Sequence, residues 1–88
     1  MEGLTEGRIV HFVLSSGEHR PAIVVKNWRG EWGYAEEDGF VNLQVFVDGS
    51  NDNTVYPVST PPSYMVWETS IKYSAEPEPR TWHWIEKA

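Results

Sequence analysis

Three histidines, His11, His19 and His83, are the chain's side chains that ordinarily titrate near neutrality. They form no HxH or HxxxH pair. To hold zinc they would have to converge with a carboxylate such as Glu18, and their spacing does not require it. They therefore read as three separate strand or turn histidines, and no metal is expected. Cysteine is absent, so disulfides and thiolate metal sites are excluded. The nucleophile elbow GxSxG is also absent, and Ser15 and Ser16 sit in a turn-like stretch where serine is ordinary. Asp48 or Glu68 beside a histidine could do acid–base work, but no spacing demands it. The reading is a non-enzymatic protein without a cofactor.

Binding chemistry is better represented. Neither GxxxxGK[ST] nor GxGxxG occurs, so a phosphate would have to be met by side chains. His19 and Arg20, beside the rigid Pro21, form the best basic pair, with Arg8, Lys26 and Arg29 as helpers. The plain alternative is solvated surface charge. Trp28, Trp32 and Tyr34 lie in or beside a glycine-rich loop, where a large ring gains little from core burial. Stacking a base on such a ring contributes about 1–3 kcal/mol. Asn42 and Gln44, on the polar side of a strand, could read a base edge or ribose hydroxyls, or simply face solvent. Trp82 and His83, in the closing TWHWIE, complete the candidate ligand contacts. The strand tryptophans Trp67, Trp82 and Trp84 suit a core as readily. Exposed Trp and Tyr are also enriched at protein interfaces.

The elements that must position these residues are strands. GRIVHFVL (7–14) is β-branched and aromatic, with Ile9, His11 and Val13 on one face and Val10, Phe12 and Leu14 on the other. Both faces are mostly apolar, so this strand is expected to be covered twice. HRPAIVVKNW (19–28) is its hairpin partner, and Pro21 belongs at a strand start or edge. FVNLQVFVDG (40–49) alternates Val41, Leu43, Val45, Val47 against Asn42, Gln44, Phe46, Asp48. MVWETSIKYS (65–74) sets Met65, Trp67, Thr69 and Ile71 against Val66, Glu68, Ser70 and Lys72. SNDNTVYPVSTPPS (50–63) is a long proline-containing loop, and TWHWIE is a short final strand that seals the barrel with Trp82 and Trp84 and turns His83 to the other face. No stretch has a helical period. The expected fold is all-β: one domain over residues 1–88, a small five-stranded antiparallel barrel of the SH3-like or OB-like kind.

A chain of 88 residues builds a thin core, and small domains without disulfides lean on metals, oligomers or dense aromatic packing. Five Trp, four Tyr and three Phe supply the last. A net charge of −6 argues against a protein that coats DNA or RNA, because that affinity comes from neutralising phosphates. One small anionic ligand held by local bases is compatible with it. No apolar run approaches a membrane span, and MEGLTEGR is not a signal peptide, so no membrane association and a cytoplasmic location are expected.

Taken together, the blocks GRIVHFVLxxGEHRPAIVV, VNLQVFVDGSND and TWHW resemble a family of small proteins encoded by tailed phages and prophages. The resemblance covers most of the chain. It implies a phage setting, with the host cytoplasm as the location, rather than a mechanism. By analogy with phage counter-defence factors, it suggests a homo-oligomer that sequesters a nucleotide-derived immune signal of the host. The alternative is an SH3-like module that grips a host or virion protein.

Overall fold

The structure, a computed structural model, describes residues 1–52 and 65–86. Most of the proline-containing loop expected over 50–63 lies outside the described residues. The turn signal SSGEH joins β1 (Ile9–Val13) to β2 (His19–Asn27) as an antiparallel hairpin. β3 (Val41–Phe46) pairs with β2, β4 (Met65–Ile71) pairs with β3, and β5 (Trp82–His83) returns to the free edge of β1. The order is β4-β3-β2-β1-β5, antiparallel throughout. Lys72 and Ser74, just beyond β4, exchange backbone hydrogen bonds with Trp82 of 3.1 and 2.9 Å, which brings the two sheet edges together. This is the small all-β, barrel-like fold expected, and no α-helix occurs among the described residues.

Alternation places the core. Val10, Phe12, Ala22, Val24, Leu43 and Val45 are buried on the inner face, with Trp82 packed against them and fully buried. The Trp82 indole N–H donates to the Gly39 carbonyl at 2.7 Å, so its polar atom is satisfied inside. Gly39 is in the left-handed region at φ 63, and a Cβ there would stand 3.0 Å from Tyr73 Cβ and 3.3 Å from the Trp82 ring. Glycine is required where the ring passes the backbone.

Two expectations about faces change. β1 is not covered twice along its length: Val13 is buried but Ile9 is half exposed. In β4 the strict alternation fails. Val41 pairs with Ile71 but Leu43 pairs with Glu68, so two residues, Thr69 and Ser70, stand opposite Asn42. Ser70 takes φ 54, and the extra residue reverses the phase of the strand. Ile71 therefore turns inward, while Met65 and Trp67 face out. The side chain that selects this bulge is Asn42: its Oδ1 accepts the Ser70 backbone N–H at 2.9 Å and the Trp28 indole N–H at 3.0 Å.

Candidate functional site

The outer face of the sheet brings the three histidines together. On β1, His11 faces away from the core because Val10 and Phe12 face into it. β5 pairs with β1 so that His83 stands opposite His11, just as Trp82 stands opposite Phe12. His19 opens β2 opposite Val13, on the same outward side. The ring centroids are 6.0 Å (His11–His19), 5.7 Å (His11–His83) and 4.7 Å (His19–His83) apart. Glu86, three residues beyond His83, reaches into this group. His11 Nδ1 is 2.7 Å from its Oε2, His19 Nδ1 is 2.8 Å from its Oε1, and His83 Nε2 also contacts Oε1. One ligand-type atom from each of the four residues lies within 4.8 Å of the others. His83 is buried, and its Nδ1 has no hydrogen-bond partner among the described residues. Partial desolvation pushes the Glu86 carboxyl up, but a backbone N–H and the His83 and His11 rings outweigh it and hold it down at about 2.

This corrects the reading of three unrelated histidines. The carboxylate that joins them is Glu86, not Glu18, which instead pairs with Arg20 at 2.9 Å. The signal in the sequence was parity. Once TWHWIE is paired with GRIVHFVL in register, His83 and His11 must share a face, and Glu86 follows close behind.

Arg20 is committed to the structure. Its Nε and Nη2 donate to the two Asp52 oxygens at 2.8 and 2.9 Å, a bidentate fork, and Asp52 also accepts the Asp48 backbone N–H at 2.6 Å. The hydrogen bonds to Asp52 raise the Arg20 pKa, and those from Arg20 lower that of buried Asp52. Arg20 is thus no free phosphate clamp, although it stands next to His19.

The remaining candidates separate into three places. Trp28, Tyr34 and Phe40 form a half-buried chain of rings, with centroids 5.7 and 4.5 Å apart, and Lys26 Nζ lies 5.2 Å from the Trp28 ring centre. The Tyr34 hydroxyl bonds Ser70 Oγ at 2.7 Å, so these rings and Asn42 pin the β4 bulge. Trp32 stands apart, 84% exposed and at φ 59. Gln44 lies on the outer sheet face, between Ile23 and Trp67 in register. Trp82, proposed as a ligand contact, is sealed in the core and is structural.

A shallow open groove of about 470 Å³ is lined by Gly7, Arg8, Ile9, Trp84 and Ile85. The Arg8 guanidinium lies 5.4 Å over the Trp84 ring. Neither this groove nor its Trp84 was singled out as a ligand site from the sequence. No family model, curated protein or solved structure matches this chain.

Proposed function

We propose that the protein is a phage-type, non-catalytic binding module that grips a protein partner through the outer face of its sheet. One observation carries the reading. Trp67, Gln44, Ile23 and Ile9 stand in register across β4, β3, β2 and β1, and Phe46–Met65 forms a second outward pair. Ile9, Phe46, Met65 and Trp67 are between 38% and 53% exposed. A row of large apolar side chains along the outer sheet face, with one amide in its middle, is suited to a protein surface. A small molecule needs a concave site that covers most of it. Trp32 and Trp67 supply the kind of ring that anchors interfaces.

A photo-crosslinking residue at Gln44 in phage-infected cells tests this. The wild-type background should yield one stoichiometric adduct, and Trp67→Glu should abolish it while leaving the melting temperature within about 2 °C, as expected for an exposed position. An adduct with a second copy of the chain would make the face a self-association surface; no adduct at all would sink the proposal.

The groove beside Trp84 favours a second reading, the nucleotide-derived ligand. A guanidinium stacked on an indole offers a planar platform and a positive charge in one place. Native mass spectrometry of the protein as purified, then with cyclic dinucleotides and ADP-ribose, checks it. A retained or added mass that is lost in Trp84→Ala supports sequestration, and unliganded spectra at ligand excess count against it.

A further inference from the structure

We propose that His11, His19, His83 and Glu86 form a site for one zinc-class divalent transition-metal ion, and that the ion fastens the closing strand β5 to β1 and β2. The inference does not rest on the partner or ligand readings above.

The donor geometry comes first. One ligand-type atom from each of His11, His19, His83 and Glu86 lies within 4.8 Å of the others, and His11 Nδ1, His19 Nδ1 and His83 Nε2 all meet the Glu86 carboxylate. Zinc–nitrogen bonds of about 2.0–2.1 Å at tetrahedral angles set the donor atoms about 3.3 Å apart. The spread of the cluster is close enough to that spacing for an ion to draw the four side chains together. The rings meet edge to face, at 63°, 90° and 68°, rather than in a stack. That is how imidazoles sit when their nitrogens aim at a common point.

The second observation is His83, which is 6% exposed and so fixed by packing. Burial holds the ring in one orientation, with Nε2 already turned to Glu86 and the other two imidazoles, so that nitrogen needs no rearrangement of the strand to serve as a ligand.

The chemistry of the donors selects the ion. Three imidazoles and one carboxylate, with no thiolate, suit Zn2+, Co2+, Ni2+ or Cu2+ and disfavour Mg2+ and Ca2+, which prefer oxygen cages. Four protein donors fill a tetrahedral shell, the mark of a structural rather than a catalytic site. The fold has a use for such a clamp. β5 is two residues long, yet it must hold the barrel shut, and the chain has no cysteine to staple it. His83 and Glu86 come from the closing segment, His11 and His19 from the hairpin that it closes on.

The test uses the full chain, freed of metal with a chelator and titrated with Zn2+, Co2+ and Mg2+. Native mass spectrometry and calorimetry should show one Zn2+ per chain. At a hundredfold excess over the dissociation constant, the melting temperature should rise by roughly 10 °C or more. Co2+ should give the intense visible bands of a four-coordinate ion, and Mg2+ should bind no better than buffer. Because His83→Ala could fail to fold, the informative variants are His19→Asn and Glu86→Gln, at part-exposed positions. His19→Asn should weaken Zn2+ at least about 100-fold. Glu86→Gln should weaken it less and shift the Co2+ spectrum as water replaces the carboxylate. Absence of a one-to-one Zn2+ complex in the wild-type chain would overturn the assignment, as would equal affinity in both variants.

Discussion

Arg20 shows how a residue's type can mislead about its job. In the chain it is half of the best basic pair, with His19; in the fold its guanidinium is paired with a buried carboxylate. Asp52 is 4% exposed, and its two oxygens are filled by the Arg20 fork and a backbone N–H. Replacing it with Ala leaves a half-buried guanidinium with only Glu18 and the His19 carbonyl. The expected loss is about 2–4 kcal/mol, below the full cost for a wholly buried pair because Arg20 keeps some solvent. Urea denaturation of Asp52→Ala measures it. Trp32 is the opposite case. It is exposed and occupies a left-handed conformation that a bulky side chain enters only at a cost. Trp32→Gly is expected to stabilise the fold by about 0.5–1 kcal/mol, the glycine's extra unfolded entropy cancelling part of the relief. If the ring serves recognition, partner capture should fall in the same variant; a loss of stability would show that it packs after all.

At the scale of the element, β4 and β5 carry the features that a sequence pattern does not contain. The β4 bulge exists because Asn42 offers one oxygen to two donors, the Ser70 backbone and the Trp28 ring. Asn42→Ala should cost about 1–3 kcal/mol by orphaning both. Amide exchange should quicken at Ser70 and Ile71 first, while the β1–β2 hairpin keeps its protection. Uniform acceleration across the sheet would mean that Asn42 supports the whole fold rather than the bulge. β5 is so short that its stability comes from Trp82 rather than from its ladder. Trp82→Ala removes a fully buried indole and is expected to cost about 3–5 kcal/mol, a large share of what a domain of this size has. Loss of the cooperative thermal transition at 37 °C would be the readout.

For the whole molecule, the thirteen acids matter through where they are paired. Glu6 binds Arg29 at 2.6 and 2.8 Å and the Asn27 backbone N–H at 2.9 Å, so the N-terminal segment is tied to the end of β2. The Arg29 hydrogen bond, then that of Asn27, brings the Glu6 carboxyl from its ordinary 4.5 down to about 2. A carboxyl with a lowered folded pKa binds its proton more readily when unfolded. Its contribution is therefore whole above about pH 4.5 and is lost as pH falls towards 2. Asp52 is lowered in the same sense by Arg20. Acid should thus erode stability through that window, and Glu6→Gln should flatten part of the slope while costing stability at neutral pH. Melting temperatures at pH 7, 4.5 and 2.5 compare the two proteins. An unchanged slope would place the acid sensitivity elsewhere.

The architecture was readable in the chain because a period of two is a property of neighbours. VNLQVFV can bury one face only as a strand, and SSGEH between two β-branched runs turns a hairpin; no distant residue is needed to say so. Even the burial of Trp82 with His83 on the opposite face followed from that alternation. What the chain did not contain was which edge TWHWIE would join. Pairing with β1 sets His83 opposite His11 and brings Glu86 to a cluster drawn from the two ends of the chain. Other long-range contacts gave Asp52 to Arg20 and set the β4 bulge that leaves Trp67 facing out. Convergence of this kind depends on long-range register. Local pattern leaves that undetermined, and only closure of the sheet decides it.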